Sequence, residues 1–187
     1  GLTANAYSNK AVKKIYTLKK RPKNNPSIVH YSSLNQLKKD CVLNKNFFIL
    51  YKKFCPGPIT FILKIKKESH ISRLVTNNKK TVAVRFPKNK ITQKLLKILT
   101  YPLAAPSANI STKISPVSAS DVKEEFGKKI KFILNGGNSK IGLESTIINL
   151  VRKPEILRHG GIEIDKINKI LRTKVKFKSK KNKILAP

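Results

Sequence analysis

The sequence predicts an α/β fold built on one twisted sheet. Segments of helical and strand periodicity alternate from end to end, the pattern that packs helices against a sheet. Hydrophobic residues make up 40% of the 187, enough for one substantial core. No internal repeat and no linker-like stretch divides the chain.

Each element has a local reason. Ser8 and Asn9 can cap a helix over 10–19, with Val12, Ile15 and Tyr16 on one face. SIVHY (27–31) reads as a short strand. Ser33 and Gln36 have capping-box spacing and open a helix over 34–39. After the turn CPGP, ITFILKI (59–65) alternates as a strand, and the β-branched TVAVRF (81–86) makes another. Helical periodicity runs through Ile91, Leu95, Leu96 and Leu99. A strand over 103–105 leads into the proline-bounded loop PSANISTKISP. A helix is expected over 118–126, strands over 131–134, 145–151 and 155–158, and a last helix over 163–171. From Lys174 onward the lysine-rich composition is that of a disordered tail.

Lys and Arg number 41 against 9 Asp and Glu, a formal net charge of +32. Such a balance attracts polyanions, nucleic acid above all. The charge is spread along the chain, however, and lysine-, asparagine- and isoleucine-rich usage is what an A/T-biased genome produces. Cys41 and Cys55 are too few for a disulfide framework or a zinc site, which suits a reducing compartment. No apolar run approaches the roughly 20 residues of a membrane span, and no secretory signal is recognisable.

Nucleotide fingerprints of the usual glycine spacing, a Ser-His-Asp set and paired carboxylates are all missing from the pattern. Chemistry here should therefore rest on positioning and on cations. Four stretches fit. In LKKRPKNNPSIVH, Lys19 and Arg21 end a helix at Pro22 and can hold phosphates, Arg21 as a bidentate fork. A cation at a helix end equally suits the helix dipole, and His30 at a strand end, taken alone, is more often structural than a ligand. In TVAVRFP, Arg85 interrupts an apolar strand and needs an anion or a partner. PLAAPSANIS sets Ser107 and Asn109 among small residues. GGNSKIGLESTIINL with LRHGG puts Ser145, Thr146 and Arg158 near strand ends, and Glu144 is the one acid in a motif-like loop.

In this order and at these spacings the stretches, with FCPGPITFIL between them, resemble the YrdC family of threonylcarbamoyl-AMP synthases from Gly1 to about Gly161. The resemblance implies a YrdC-like α/β fold: a twisted mixed sheet with flanking helices and an open basic cleft, over residues 1–173, with 174–187 as a basic tail. It implies a nucleotidyltransferase that joins L-threonine, bicarbonate and ATP into threonylcarbamoyl-adenylate and pyrophosphate, for threonylcarbamoyladenosine modification of tRNA. The family's K-x-R and S-x-N motifs fall on Lys19 and Arg21 and on Ser107 and Asn109. ATP would be held by Arg21, Asn25, Thr81, Ser107, Ser115 and Arg158, supported by Asn109 and Lys19. Threonine would be held by His30, Arg85, Ser145 and the backbone at Ala105. Lys19 and Arg21 would be the catalytic pair. Magnesium (Mg2+) would arrive with ATP, with no ligands from protein side chains.

The resemblance also implies threonylcarbamoyl-transferase proteins as receivers of the intermediate, tRNA as a candidate partner, no membrane association, and a cytoplasmic protein or one in an organelle of bacterial descent. Members usually carry a strand and a threonine–tyrosine pair before the segment that begins here at Gly1, so a missing N-terminal strand is expected. Thr3, Cys55 and Thr112 stand where the family has glycine, an aromatic residue and glycine. The alternative from another class is a non-catalytic RNA-binding protein of the same fold. A third reading, a carbamoyl-adenylate-forming domain of hydrogenase maturation, would come with a longer chain and zinc-finger-like cysteines.

Overall fold

The computed structural model describes residues 1–22, 24–139 and 143–177; the start of the GLEST stretch and most of the basic tail lie outside them. In chain order the elements are β1 (Ala4–Asn5), α1 (Asn9–Lys19), β2 (Ile28–His30), α2 (Leu34–Asp40), β3 (Cys41–Val42), α3 (Lys45–Phe54), β4 (Ile59–Ile65) and α4 (Arg73–Thr76). There follow β5 (Thr81–Arg85), α5 (Lys90–Ile98), β6 (Leu103–Ala104), α6 (Ala119–Phe126), a 3-10 turn (Gly127–Lys129), β7 (Thr146–Asn149), β8 (Glu155–Arg158), α7 (Ile164–Leu171) and β9 (Lys176–Phe177).

The strands form one mixed sheet in the order β1-β6-β2-β5-β4-β7-β8-β9. The pairs β2–β5, β4–β7 and β8–β9 are parallel and the others antiparallel. β3 takes over the edge of β4 at Lys64 and Ile65, past the end of its pairing with β7.

Strand alternation divides the two faces. Val29, Phe61, Leu63, Val82, Val84, Ile148 and Ile156 point to one side. There they pack with Val12 and Ile15 of α1, Leu37 of α2, Phe47 and Leu50 of α3, Val75 of α4 and Ile167 of α7. Each such side chain stabilises the fold by roughly 1.5–3 kcal/mol. The only carboxylate buried beside this core, Asp40, accepts hydroxyls from Tyr7 (2.8 Å), Tyr31 (2.9 Å) and Ser69 (2.7 Å), which satisfies it without a cation among the described residues.

Most local expectations hold. Ser8 caps α1 through Ala11 N, and the helix expected over 118–126 forms as α6, where the structure adds a full capping box between Ser118 and Asp121. Ser33 caps α2, but Gln36 turns its Oε1 to Ser32 N (3.1 Å) and not to the cap residue. Three differences stand out. Residues 131–134 form no strand: Phe132 is 85% exposed, because a β-prone run without a sheet edge beside it has no ladder to join. β3 and α3 occupy a stretch that carries no sequence assignment. α3 is capped by Asn44, whose side chain accepts from Phe47 N (3.0 Å) and donates to Leu150 O (2.6 Å). Its Phe47, Leu50, Tyr51 and Phe54 are a helical stripe hidden among lysines. Finally, the segment expected to be disordered from 174 begins with a buried Val175 and with β9, paired to β8.

Candidate active site

The face of the sheet turned away from that core carries the polar residues. In β5, Thr81, Ala83 and Arg85 alternate with the core-facing Val82 and Val84. Arg85 sits directly beside His30 of β2 and beside Thr60 of β4. Ser145 precedes β7 in the same alternation as Ile147, and Arg158 pairs with Ile147. An arginine inside an apolar strand is thus explained by the pleat: it points where the core is not.

Lys19 and Arg21 part company at the end of α1. Lys20 between them adopts the left-handed conformation (φ 49°), turning the chain. Lys19 runs inward and is 1% exposed. Its Nζ donates to Ser107 O (2.7 Å), to Asn109 O and to Asn109 Oδ1 (3.3 Å). Asn109 Nδ2 donates in turn to Ile110 O (2.9 Å) and Lys113 O (2.6 Å), and Ser111 N donates to Lys19 O (2.8 Å). Lys19 and Asn109 therefore shape the S-x-N loop, and their own donors are used in doing so. Burial first, and then neighbouring Arg21, push the Lys19 ammonium down to about 8, with Glu125 opposing.

Arg21 instead turns toward the bend before β2, where Nε donates to Asn25 O (3.2 Å) and Nη2 to Pro26 O (2.9 Å). Burial lowers its pKa, so an anion at its free edge would be welcome. Asn25 Oδ1 is buried with no hydrogen-bond partner among the described residues, an acceptor awaiting a donor.

Around His30 the environment is cationic. Burial, then Arg85, hold its imidazole down to about 3, so it is neutral near pH 7. Arg85 Nε donates to Gly57 O (3.3 Å) in the CPGP turn, whose Cys55–Pro56 bond is cis. Burial, followed by Arg158, lowers the Arg85 pKa. Burial also pushes the Cys55 thiol up to about 12, and Cys41 is driven up by burial in the core, so neither is a thiolate nucleophile at neutral pH.

Arg158 is tied down by Glu144 Oε2 (2.7 Å from Nη1), Ser145 O (3.1 Å from Nε) and Ser145 Oγ (3.2 Å from Nη2). Ser145 Oγ lies 2.7 Å from Thr60 Oγ1. The HGG turn after Arg158 holds this loop from behind: Gly161 N donates to Glu144 O (3.0 Å). A Cβ on Gly160 would stand 2.3 Å from Glu144 O and 2.4 Å from Thr146 N. Backbone atoms cannot yield to it, so Gly160→Ala is expected to cost about 3 kcal/mol or more. A fall of several degrees in thermal midpoint, with loss of Ser145 and Arg158 function, is the expected result; a wild-type melting curve would contradict it.

The remaining expected residues are placed as follows. Thr81 shares the face of Arg85 but lies four residues earlier, roughly 13 Å along the strand. Extending the β2–β5 register brings it alongside Pro26, at the Arg21 end. The Ala105 amide is taken by Ile28 O (2.9 Å), which leaves its carbonyl. Ser115 is exposed, farther along the S-x-N loop, and is not drawn into the network. Thr60, Gly57 and Gly160 escaped sequence reasoning. Gly57 between two prolines just before β4, and Gly160 in the turn just after β8, were the available signals; Thr60 had none beyond its place in an alternating strand.

A mixed sheet with its core on one face and positioned cations on the other defines an anion-receptive α/β domain. The chain belongs to the Sua5/YciO/YrdC family, whose profile, described as telomere recombination, matches residues 1–160. A Pyrococcus abyssi relative named threonylcarbamoyl-AMP synthase is 44% identical over 176 residues, covering 91% of this chain and 50% of the relative. A Bacillus subtilis relative of the same name is 40% identical over 174 residues, covering 91% and 50%. The crystal structure of P. abyssi Sua5 complexed with L-threonine matches with a TM-score of 0.92 at 40% identity, over 100% of this chain and 56% of that one. The chain spans about half the length of these relatives.

Proposed function

We propose that the chain is a threonylcarbamoyl-AMP synthase, an adenylyl-transferring enzyme acting on L-threonine, bicarbonate and ATP. The threonine amine attacks bicarbonate, giving a carbamate and water. A carbamate oxygen then attacks the α-phosphate of ATP and expels pyrophosphate. Every reactant but the amine is anionic, so converging cations lower repulsion and stabilise developing charge. The observation that carries the reading is that His30 and Arg85, paired across β2 and β5, share a sheet face with Ser145 and Arg158, while the Lys19-held S-x-N loop follows the neighbouring strand β6. In this reading Arg21 and Ser107 hold the triphosphate, Asn25 Oδ1 accepts from a nucleotide N–H, and Thr81 and Arg158 complete the ATP site. Arg85 holds the threonine carboxylate, with His30, Ser145 and the Ala105 carbonyl around the amino acid. No side-chain nucleophile takes part.

Among the described residues no group of three or more His, Cys, Asp or Glu is arranged to hold a metal. A magnesium ion would arrive with ATP and neutralise part of the charge of the triphosphate. Consumption of the product falls to proteins that transfer the threonylcarbamoyl group to tRNA, and the +32 charge favours tRNA contact. Among the described residues no helix is long and apolar enough to cross a membrane.

Pyrophosphate release from ATP tests the proposal. Release requiring both L-threonine and bicarbonate is the expected result; silence with salt-sensitive RNA binding would favour the RNA-binding alternative. Arg21→Ala is expected to lower turnover at least roughly 100-fold, as loss of a positioned transition-state cation does. Its two charge-assisted backbone bonds are worth roughly 1.5–3 kcal/mol each, offset in part by the cost of burying the guanidinium, so the fold should survive. Near-normal turnover would remove Arg21 from the site.

A further inference from the structure

Thr60 has no role in the assignments above, yet it forms part of the floor of the site. It is fully buried on β4, flanked in the ladder by Arg85 and by Ile147. Its Oγ1 lies 2.7 Å from Ser145 Oγ, which also accepts from Arg158 Nη2 at 3.2 Å. A hydroxyl carries one proton and two acceptor lone pairs. Arg158 can only donate, so it fills one lone pair of Ser145. The two hydroxyls hold two protons but share one bond, and one proton is left over. If Ser145 donated to Thr60, the leftover proton would sit on Thr60, whose ladder neighbours Arg85 and Ile147 offer it no side-chain acceptor. If Thr60 donates, both Ser145 lone pairs are filled and the Ser145 proton can only go to an incoming acceptor.

We propose that Thr60 is a positioning residue: by donating to Ser145 Oγ it aims the Ser145 proton at a carboxylate oxygen of the amino-acid substrate. The inference rests on the reading that threonine binds beside Arg85 and Ser145. It makes the Arg158–Ser145–Thr60 chain a fixed donor array, in which the arginine and the threonine set the direction of the serine. Thr60 itself need not touch the substrate.

The test is steady-state pyrophosphate release by the 187-residue chain and by Thr60→Val, Thr60→Ser, Ser145→Ala and the Thr60→Val/Ser145→Ala pair. Valine keeps the shape of threonine without its hydroxyl. Thr60→Val is expected to raise KM for L-threonine about tenfold, the order of one hydrogen bond to a charged group. KM for ATP should stay put, and Thr60→Ser should restore the wild-type threonine KM. The double variant should be no worse than Ser145→Ala alone, since Thr60 acts only through the serine. An unchanged threonine KM in Thr60→Val, equal rises in both KM values, no rescue by serine, or additive losses would each overturn the proposal. Absence of threonine-dependent release in the wild-type chain would bring down the functional reading and this inference with it. Normal wild-type release with an unaffected Thr60→Val removes Thr60 alone.

Discussion

Lys19→Ala is expected to lower ATP turnover by roughly a hundredfold or more through a misplaced S-x-N loop, and to destabilise the protein at the same time. The side chain is 1% exposed and its ammonium serves three acceptors on the S-x-N loop. Removing it leaves those neutral oxygens without a donor beside a cavity, at about 1–3 kcal/mol, the cost of an unsatisfied buried acceptor. Arginine should not rescue, since its planar fork does not match three acceptors around one nitrogen. A pH profile offers a second check. A neutral amine has two donors for three acceptors, so turnover should fall as pH rises through about 8. The folded chain gives up this proton before the unfolded chain, whose lysine titrates near 10.5. Raising pH across that window thus relieves a burial cost, and this group contributes no loss of stability there. Turnover falling while the melting temperature holds would identify the loop as what Lys19 controls; a flat rate from pH 7 to 10 would contradict it.

Arg85→Ala is expected to raise KM for L-threonine by roughly ten- to a hundredfold, the range of a lost hydrogen bond to a charged carboxylate. Stability should move the other way or not at all. The guanidinium is set in an apolar strand, and burial, then the charge of Arg158, lower its pKa, so the folded protein carries its charge at a cost. Threonine dependence and thermal midpoint measured on the same preparation separate a binding role from a structural one. A lower midpoint with unchanged threonine dependence would make Arg85 a packing residue.

The chain announces much of this locally. Alternation in ITFILKI and TVAVRF, capping residues at 8 and 33, the helical run at 118–126 and prolines around the S-x-N loop are short-range signals, and they yield β4, β5, α1, α2, α6 and the loop. α3 was obscured because its apolar stripe is interleaved with lysines that fit any surface. The run at 131–134 misled for the opposite reason: strand propensity without a neighbouring edge makes no strand. The site was legible as residue types in order, but their roles were not. Lys19 reads as a phosphate-supporting cation from its spacing to Arg21, and the structure adds that its ammonium holds the S-x-N loop.

By itself, then, the sequence determined the alternation of elements, the apolar faces of the strands, and the presence of cations where an apolar pattern has no use for them. Those properties depend on neighbours within a few residues, through periods of two and 3.6. Only the tertiary structure decided which face of the sheet the helices cover, and hence that Thr60, Arg85, Ser145 and Arg158 gather on the other. It also paired Lys19 with Ser107 and Asn109, separated by 88 and 90 residues, and Thr60 with Ser145, separated by 85. Hydrogen bonds of that span are fixed by strand order and register, and no local pattern of residues encodes them.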